Sequence, residues 1–319
     1  MPKVTCAVAI YGAEKYIEKC ARSLFEQTLE DMEFFFINDG TPDNSMGVLN
    51  RVILDYPERS GQIKILNLSV NQGQAAVRNI CLENASGEYL IFCDPDDWVD
   101  KTLYKTMYDA AKESNADVVQ CDYILEMNDC SVLQNVNQYK NSIDILKSGS
   151  FYSLSLCFHL IKNSVVKESG LRTFEGLNSG EDLGYLGRLF TLPLTVTHVS
   201  GTVYHYNKTN EGSATAHFHE DKTKAMLQDC LRLLKEYYAE HNIPLSEMST
   251  ILRWMRDQKN SYLQIGLLRR WLELFPEVCD WECRQPASSY FYKMAYSLSH
   301  RLHSTLPMTI FLKVNQLLR

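Results

Sequence analysis

The chain opens on Val4-Thr5-Cys6-Ala7-Val8-Ala9-Ile10, a continuous small and apolar run that reads as a buried strand. Over Glu14 to Gln27 the period lengthens to that of a helix, with Tyr16, Ile17, Cys20 and Leu24 on one face. Strand-like runs return at Glu33 to Ile37, Ile63 to Leu68 and Tyr89 to Phe92. A fifth is expected over Asp117 to Asp122, after a helix near Lys101 to Ser114. This alternation, with crossovers long enough for helices, predicts an α/β fold with a mostly parallel sheet covered by helices. Between Asn128 and Lys167 the pattern loosens and assigns little. Short strands are expected near Leu194 to Val199 and Thr202 to Tyr206, and helical spacing dominates from about His219 onward. The boundary so placed divides a domain at 1–218 from a helical region at 219–319.

Polar residues at the strand ends carry the chemistry. Gly87-Glu88-Tyr89-Leu90-Ile91-Phe92-Cys93-Asp94-Pro95-Asp96-Asp97-Trp98 runs from a strand into three clustered carboxylates. Pro95 has no N–H for a ladder and disfavours α geometry at Asp94, so the chain turns there. In open α/β sheets that carboxyl edge is where ligands bind. Clustered carboxylates repel unless a cation or a donor-rich partner sits among them. Mg²⁺ is commonly held by one or two carboxylates plus substrate phosphates. The segment reads as a metal–diphosphate site or, equally, as a solvated turn.

Asp39 lies at the end of the second strand, just before a helix start expected at Thr41-Pro42. It suits a ligand contact or the positive end of that helix. Asn71 and Gln74 fit a capping box, as do Ser179 and Asp182. Arg78 falls in a helix, where it could pair with an acid. The first turn, Tyr11-Gly12, offers neither Gly-x-Gly-x-x-Gly nor Gly-Lys-Ser/Thr, which excludes a dinucleotide fingerprint and a P-loop.

Composition narrows the class. With 319 residues, 45% hydrophobic and 22% charged, the chain matches a soluble globular protein of one or two domains. A net charge of −7 argues against broad attraction to nucleic acid. The amino end is too short and strand-like for a signal peptide, and no apolar run approaches the ~20 residues of a membrane span. Ten scattered cysteines without a zinc-finger spacing read as buried free thiols, and the expected compartment is reducing cytosol.

Five motifs in order resemble those of family 2 glycosyltransferases. They are Val8-Ala9-Ile10-Tyr11-Gly12-Ala13-Glu14-Lys15-Tyr16-Ile17, Asn38-Asp39-Gly40-Thr41-Pro42-Asp43-Asn44-Ser45, Asn71-x-Gly73 through Arg78-Asn79, Asp94-x-Asp96-Asp97-Trp98, and Gly180-Glu181-Asp182-Leu183. The family usually shows Pro where this chain has Ala9 and Asn where it has Gly12. The resemblance implies a GT-A-like fold, an inverting mechanism, a nucleotide-diphosphate sugar donor (a UDP-sugar above all) and Mn²⁺ or Mg²⁺. It places nucleotide contacts at Ala9, Tyr11, Glu14, Asp39, Asn71, Arg78 and Asp94. Asp96 would bind the metal directly, with Asp94 toward the ribose or the metal's water shell. Asp182 would be the general base and Glu181 would orient the acceptor. Displacing a nucleoside diphosphate builds charge on the leaving phosphates, and one base on the opposite face gives inversion.

Other classes stay open on the residues alone. One is a nucleotide- or glycan-binding module without turnover; another is a nucleotidyltransferase or phosphohydrolase. Arg269-Arg270-Trp271 departs from the Gln-x-x-Arg-Trp motif of processive synthases at Leu267, which favours transfer of a single sugar. The expected acceptor is a glycan or lipid-linked hydroxyl in surface polysaccharide or glycolipid assembly. His205, His217 and His219 could reach a metal or phosphate, and Trp98 could pack or serve as an acceptor platform. From Arg284 to Arg319 there are five Lys or Arg and no Asp or Glu, among aromatic and aliphatic residues. Such a segment suits peripheral contact with the inner face of a cell membrane or a helical cap on the catalytic domain.

Overall fold

A computed structural model describes residues 1–150, 154–213, 221–264, 266–286 and 288–317. The chain divides into two compact units, Met1–Ile145 with Tyr152–Cys230, and Leu146–Phe151 with Leu231–Arg319. The boundary expected after residue 218 lies outside the described residues.

In the first unit the strands are β1 (Val4–Ile10), β2 (Met32–Asn38), β3 (Ile63–Asn67), β4 (Tyr89–Phe92), β5 (Trp98–Val99), β6 (Val118–Glu126), β7 (Ser131–Gln134), β8 (His159–Lys162) and β9 (Val196–Asn207). The helices are α1 (Ile17–Phe25), α2 (Ser45–Leu54), α3 (Gln74–Asn84), α4 (Leu103–Ser114), α5 (Ser142–Lys147), α6 (Asn163–Ser169) and α7 (Glu181–Leu189); α5 runs on into the second unit. Strand order is β3-β2-β1-β4-β8-β6-β9-β5, with β7 on β6.

The first four strands are parallel, as the alternation predicted. Beyond β4 the sheet becomes mixed. β8 runs antiparallel to both β4 and β6, β9 is parallel to β6, and β5 and β7 are antiparallel edges. Phe34, Phe35 and Phe36 are all buried, which is why β2 reads as a continuous apolar run: both faces of the sheet are covered. Phe25 of α1 meets Phe34 and Phe36 edge-on at 5.3 and 5.9 Å. Arg59 is buried beneath the end of α1 and donates to the carbonyls of Phe25, Gln27, Leu29 and Glu30, satisfying groups the helix cannot.

Two local readings are corrected. The helix expected from Thr41 begins at Ser45, because Asp43 accepts from the Thr41 hydroxyl and the Ser45 amide and holds 41–44 as a turn. The two short strands expected near 194–206 are one strand of 12 residues. Its register against β6 slips between Cys121 and Asp122, where Gly201 takes φ +80 and the extra residues bulge out.

In the second unit, α8 (Asp221–Glu240) enters from the first and is followed by α9 (Ser249–Gln264), α10 (Leu268–Glu273), α11 (Val278–Arg284), α12 (Tyr290–Arg301) and α13 (Leu306–Leu317). Trp271, Cys279, Ala295, Tyr296 and Met308 form its core. The Lys259 ammonium is buried and donates to the carbonyls of Trp271, Leu272 and Leu274, closing the end of α10. Among the described residues no helix is long and apolar enough to cross a membrane.

Candidate active site

The loops after β1 and β2 are laced together. The Gly12 amide donates to Thr41 Oγ1, Ala13 to Ser45 Oγ, and Glu14 to Asp43 Oδ2, while Glu14 Oε2 accepts from the Asn44 amide. Although partly buried, Asp43 is held down at about 2 by the Ser45 and Thr41 hydroxyls and by two amides. Glu14 therefore braces the loop beside the site, with Tyr11 left exposed at its rim and Ala9 half-buried beneath.

Asp39 is buried, and its two oxygens accept from the amides of Gln72, at 2.7 Å, and Gly73, at 3.0 Å. It thus faces the start of α3 rather than that of α2. Gly73 takes φ +86, and a Cβ there would sit 2.2 Å from the Asn178 amide. Asn178 Oδ1 accepts from the Ala75 amide and caps α3 from a distant loop. No side chain local to the helix caps it, so the capping-box reading of Asn71 fails and Asn71 is exposed. The same holds for Ser179 and Asp182, since α7 begins after Gly180 at φ +82 with no side-chain cap.

Arg78 stands at the centre. It is fully buried, its guanidinium 4.6 Å above the Phe92 ring. Nη2 donates to Asp94 Oδ1 at 2.8 Å, and Nε lies 3.6 Å from Asp182 Oδ1. One cation therefore joins the acid turn after β4 to the first turn of α7. Arg78 Nε, Arg78 Nη1 and Asp182 Oδ1 are buried without a hydrogen-bond partner, a costly state that native proteins keep at sites of function.

The acid turn is differentiated by its surroundings. Asp97 is buried, accepts from the Tyr204 hydroxyl at 2.6 Å and the Asn207 amide at 2.8 Å, and is pushed well up by burial and by Asp96 and Asp94. It ties the turn to β9. Asp96 accepts from Asn210 Nδ2 at 2.7 Å, and burial together with Asp94 pushes it up to about 6. Trp98 packs with the Lys19 ammonium 2.8 Å from its ring centroid and with the stacked His205 ring at 5.1 Å. His205 is itself held by Glu126 and Asp100, while His217 and His219 lie outside the described residues.

Asp182 Oδ2 accepts from the Leu156 amide at 2.9 Å, with the Ser155 hydroxyl at 3.5 Å. Burial raises its pKa, and Arg78 works against that rise. Glu181 beside it is buried, and burial first and Asp182 next push it up to about 8. Sequence reasoning missed Asn178, Asn210, Ser155 and Leu156. The first two are isolated amides in loops, and Leu156 acts through its backbone, which no side-chain pattern reports.

Among the described residues no cluster of three or more His, Cys, Asp or Glu is arranged to hold a metal ion. A divalent cation that shares substrate phosphates needs fewer: one or two hard carboxylates suffice. Asp94 and Asp96 are the carboxylates of the acid turn that could supply them, and burial together with Asp94 raises Asp96, a carboxylate whose charge is under-compensated. The donor set fits such a cation.

Residues 5–167 match the family model described as glycosyl transferase family 2. "Uncharacterized glycosyltransferase EpsJ" of Bacillus subtilis is 33% identical over 129 residues, 40% of this chain and 36% of that protein. "Glycosyltransferase GlyA" of Streptococcus pneumoniae is 27% identical over 269 residues, 79% of this chain and 37% of that protein. The chain thus spans little more than a third of the length of these curated relatives. Among solved structures, S. aureus TarS 1-349 in complex with UDP-GlcNAc is similar with a TM-score of 0.60 at 17% identity, covering 95% of this chain and 92% of that one. The fold, a mixed-sheet core flanked by helices with a helical carboxyl-terminal region, is GT-A-like.

Proposed function

Because this chain belongs to glycosyl transferase family 2, we propose that it moves one sugar, with inversion, from a UDP-sugar to a hydroxyl acceptor in surface polysaccharide or glycolipid assembly, working in the cytoplasm. The observation that carries the reading is that Arg78 contacts both Asp94 and Asp182, the acids this reading assigns to the donor and the acceptor. The UDP-GlcNAc complex of the similar TarS structure supports a UDP donor here.

In this reading Asp39, with the backbone at Ala9 and Tyr11, receives the base. Asn71, exposed at the rim, stands beside the nucleotide. Asp94 and Asp96 would hold Mn²⁺ or Mg²⁺, which when bound offsets charge on the leaving diphosphate. Asp182 takes the acceptor proton. Its Oδ2 is held by the Leu156 amide while Oδ1, 3.6 Å from Arg78 Nε, has no hydrogen-bond partner, so it meets the hydroxyl already oriented. Glu181 keeps its own proton at neutral pH and orients the acceptor as a hydrogen-bond donor.

Calorimetric titration with UDP, GDP and TDP, each with Mn²⁺ and then with chelator, tests the donor side. Binding of UDP alone, lost on chelation, is the expected result. Asp96→Ala should weaken it by at least about tenfold. Metal-independent binding, or an unaffected Asp96→Ala, would remove Asp96 from the role.

Glu181 yields a pH prediction. Its folded pKa lies above its unfolded value, so the stability it contributes is full below the unfolded carboxylate range, near 4.5, and is lost as pH rises through about 8. The melting temperature should therefore decline from pH 5 to pH 9. Glu181→Gln, which mimics the protonated acid, should flatten that decline and keep turnover within about tenfold at pH 7. A Gln variant as inactive as one lacking the base would show that Glu181 must ionise.

A further inference from the structure

We propose that the α12–α13 hairpin docks the protein onto an anionic lipid surface. One side of each helix builds the core of the second unit, through Ala295, Tyr296 and Met308. The other side is apolar too. Phe291, Met294 and Leu298 on α12, and Leu306, Ile310 and Val314 on α13, are each 40–66% exposed. Spacings of three and four gather them into one stripe on each helix. Surface helices ordinarily turn polar residues outward, and apolar patches of this kind mark interaction sites.

Charge selects the partner. Residues 284–319 hold five Lys or Arg and no Asp or Glu, in a chain whose net charge is −7. Arg301 and Lys313 are exposed on the same two helices. A second copy of the hairpin would set cation against cation with no carboxylate from either to relieve them. Acidic headgroups meet both requirements: the apolar side chains enter the acyl boundary and the cations face phosphate. At 12 residues each the helices are too short to span a bilayer and would lie in its plane.

The inference is independent of sugar transfer, and UDP titration of the same sample keeps the two apart. The full chain is floated with vesicles of phosphatidylglycerol and phosphatidylcholine, and with phosphatidylcholine alone. Binding at least about tenfold stronger to the anionic vesicles, weakening as salt is raised, is expected. The triple variant Phe291→Ser, Leu298→Ser, Ile310→Ser and the double variant Arg301→Glu, Lys313→Glu should each lose at least about tenfold, with the melting temperature unchanged. The proposal is overturned by no vesicle binding from a folded chain or by equal binding to neutral vesicles. It is also overturned if neither variant weakens binding, or if the chain self-associates through a contact that the apolar variant abolishes.

Discussion

Asp182→Asn is expected to lower kcat by about 10² to 10⁴-fold while leaving affinity for the UDP-sugar within about twofold. The amide keeps the volume of the side chain, and its oxygen can still accept from the Leu156 amide, so the first turn of α7 should hold its place. What it cannot do is take a proton. Of the residues proposed for the nucleotide side, Asp39 and Asp96 have their own partners on other loops, and Asp94 keeps its 2.8 Å hydrogen bond from Arg78. Steady-state transfer kinetics beside calorimetry with the donor separate the two effects. Turnover retained to a tenth or better would move the base to Glu181. A native chain that binds donor but never turns over would be a binding module on this scaffold.

Arg78→Met should be the most destabilising single change near the site. Methionine fills much of the space over Phe92 but leaves Asp94 and Asp182 facing one another without the cation between them. Removing one partner of a buried charge network costs about 3–5 kcal/mol. For a unit of this size that is a fall in melting temperature of roughly 6–20 °C. Arg78→Lys should recover only part of it, since one ammonium cannot serve two carboxylates as a planar fork does. Calorimetry of the three proteins decides: a melting temperature for Arg78→Met within about 2 °C of the parent would mean that the two acids do not depend on Arg78.

The parts of this molecule legible in sequence are those decided locally. Val4–Ile10 and Tyr89–Phe92 announce themselves because strands covered on both faces are apolar almost throughout. The acid turn is visible because Pro95 stops a strand among carboxylates. By contrast β7 and β8, four residues each, are too short to show a period, and most of β7 is exposed. The start of α2 moved because Asp43 found partners within its own turn. The neighbours of Asp182 stayed hidden for a different reason. Arg78 is far away in sequence, and the Leu156 contribution is an amide that every residue but proline carries. Long-range pairing and backbone chemistry leave no local trace.

β4 is the strand at which the sheet changes direction, with parallel β1 on one side and antiparallel β8 on the other, joined to β8 through only Tyr89–Lys162 and Leu90–Ile161. The elements that carry Asp39 and the acid turn belong to one side of this seam, and α7 with Asp182 follows the other. So short a ladder carries little of the coupling across the seam, and side chains carry the rest: Arg78 between Asp94 and Asp182, and Asp97 onto Tyr204 and Asn207 of β9. On the proposed reading, descendants of such a chain can explore new acceptors by varying positions beyond β8 as long as those anchors stay in place. Divergence within the lineage would then accumulate unevenly, fastest beyond β8 away from Tyr204, Asn207 and Asn210, and slowest around β1 to β4 and at those anchors.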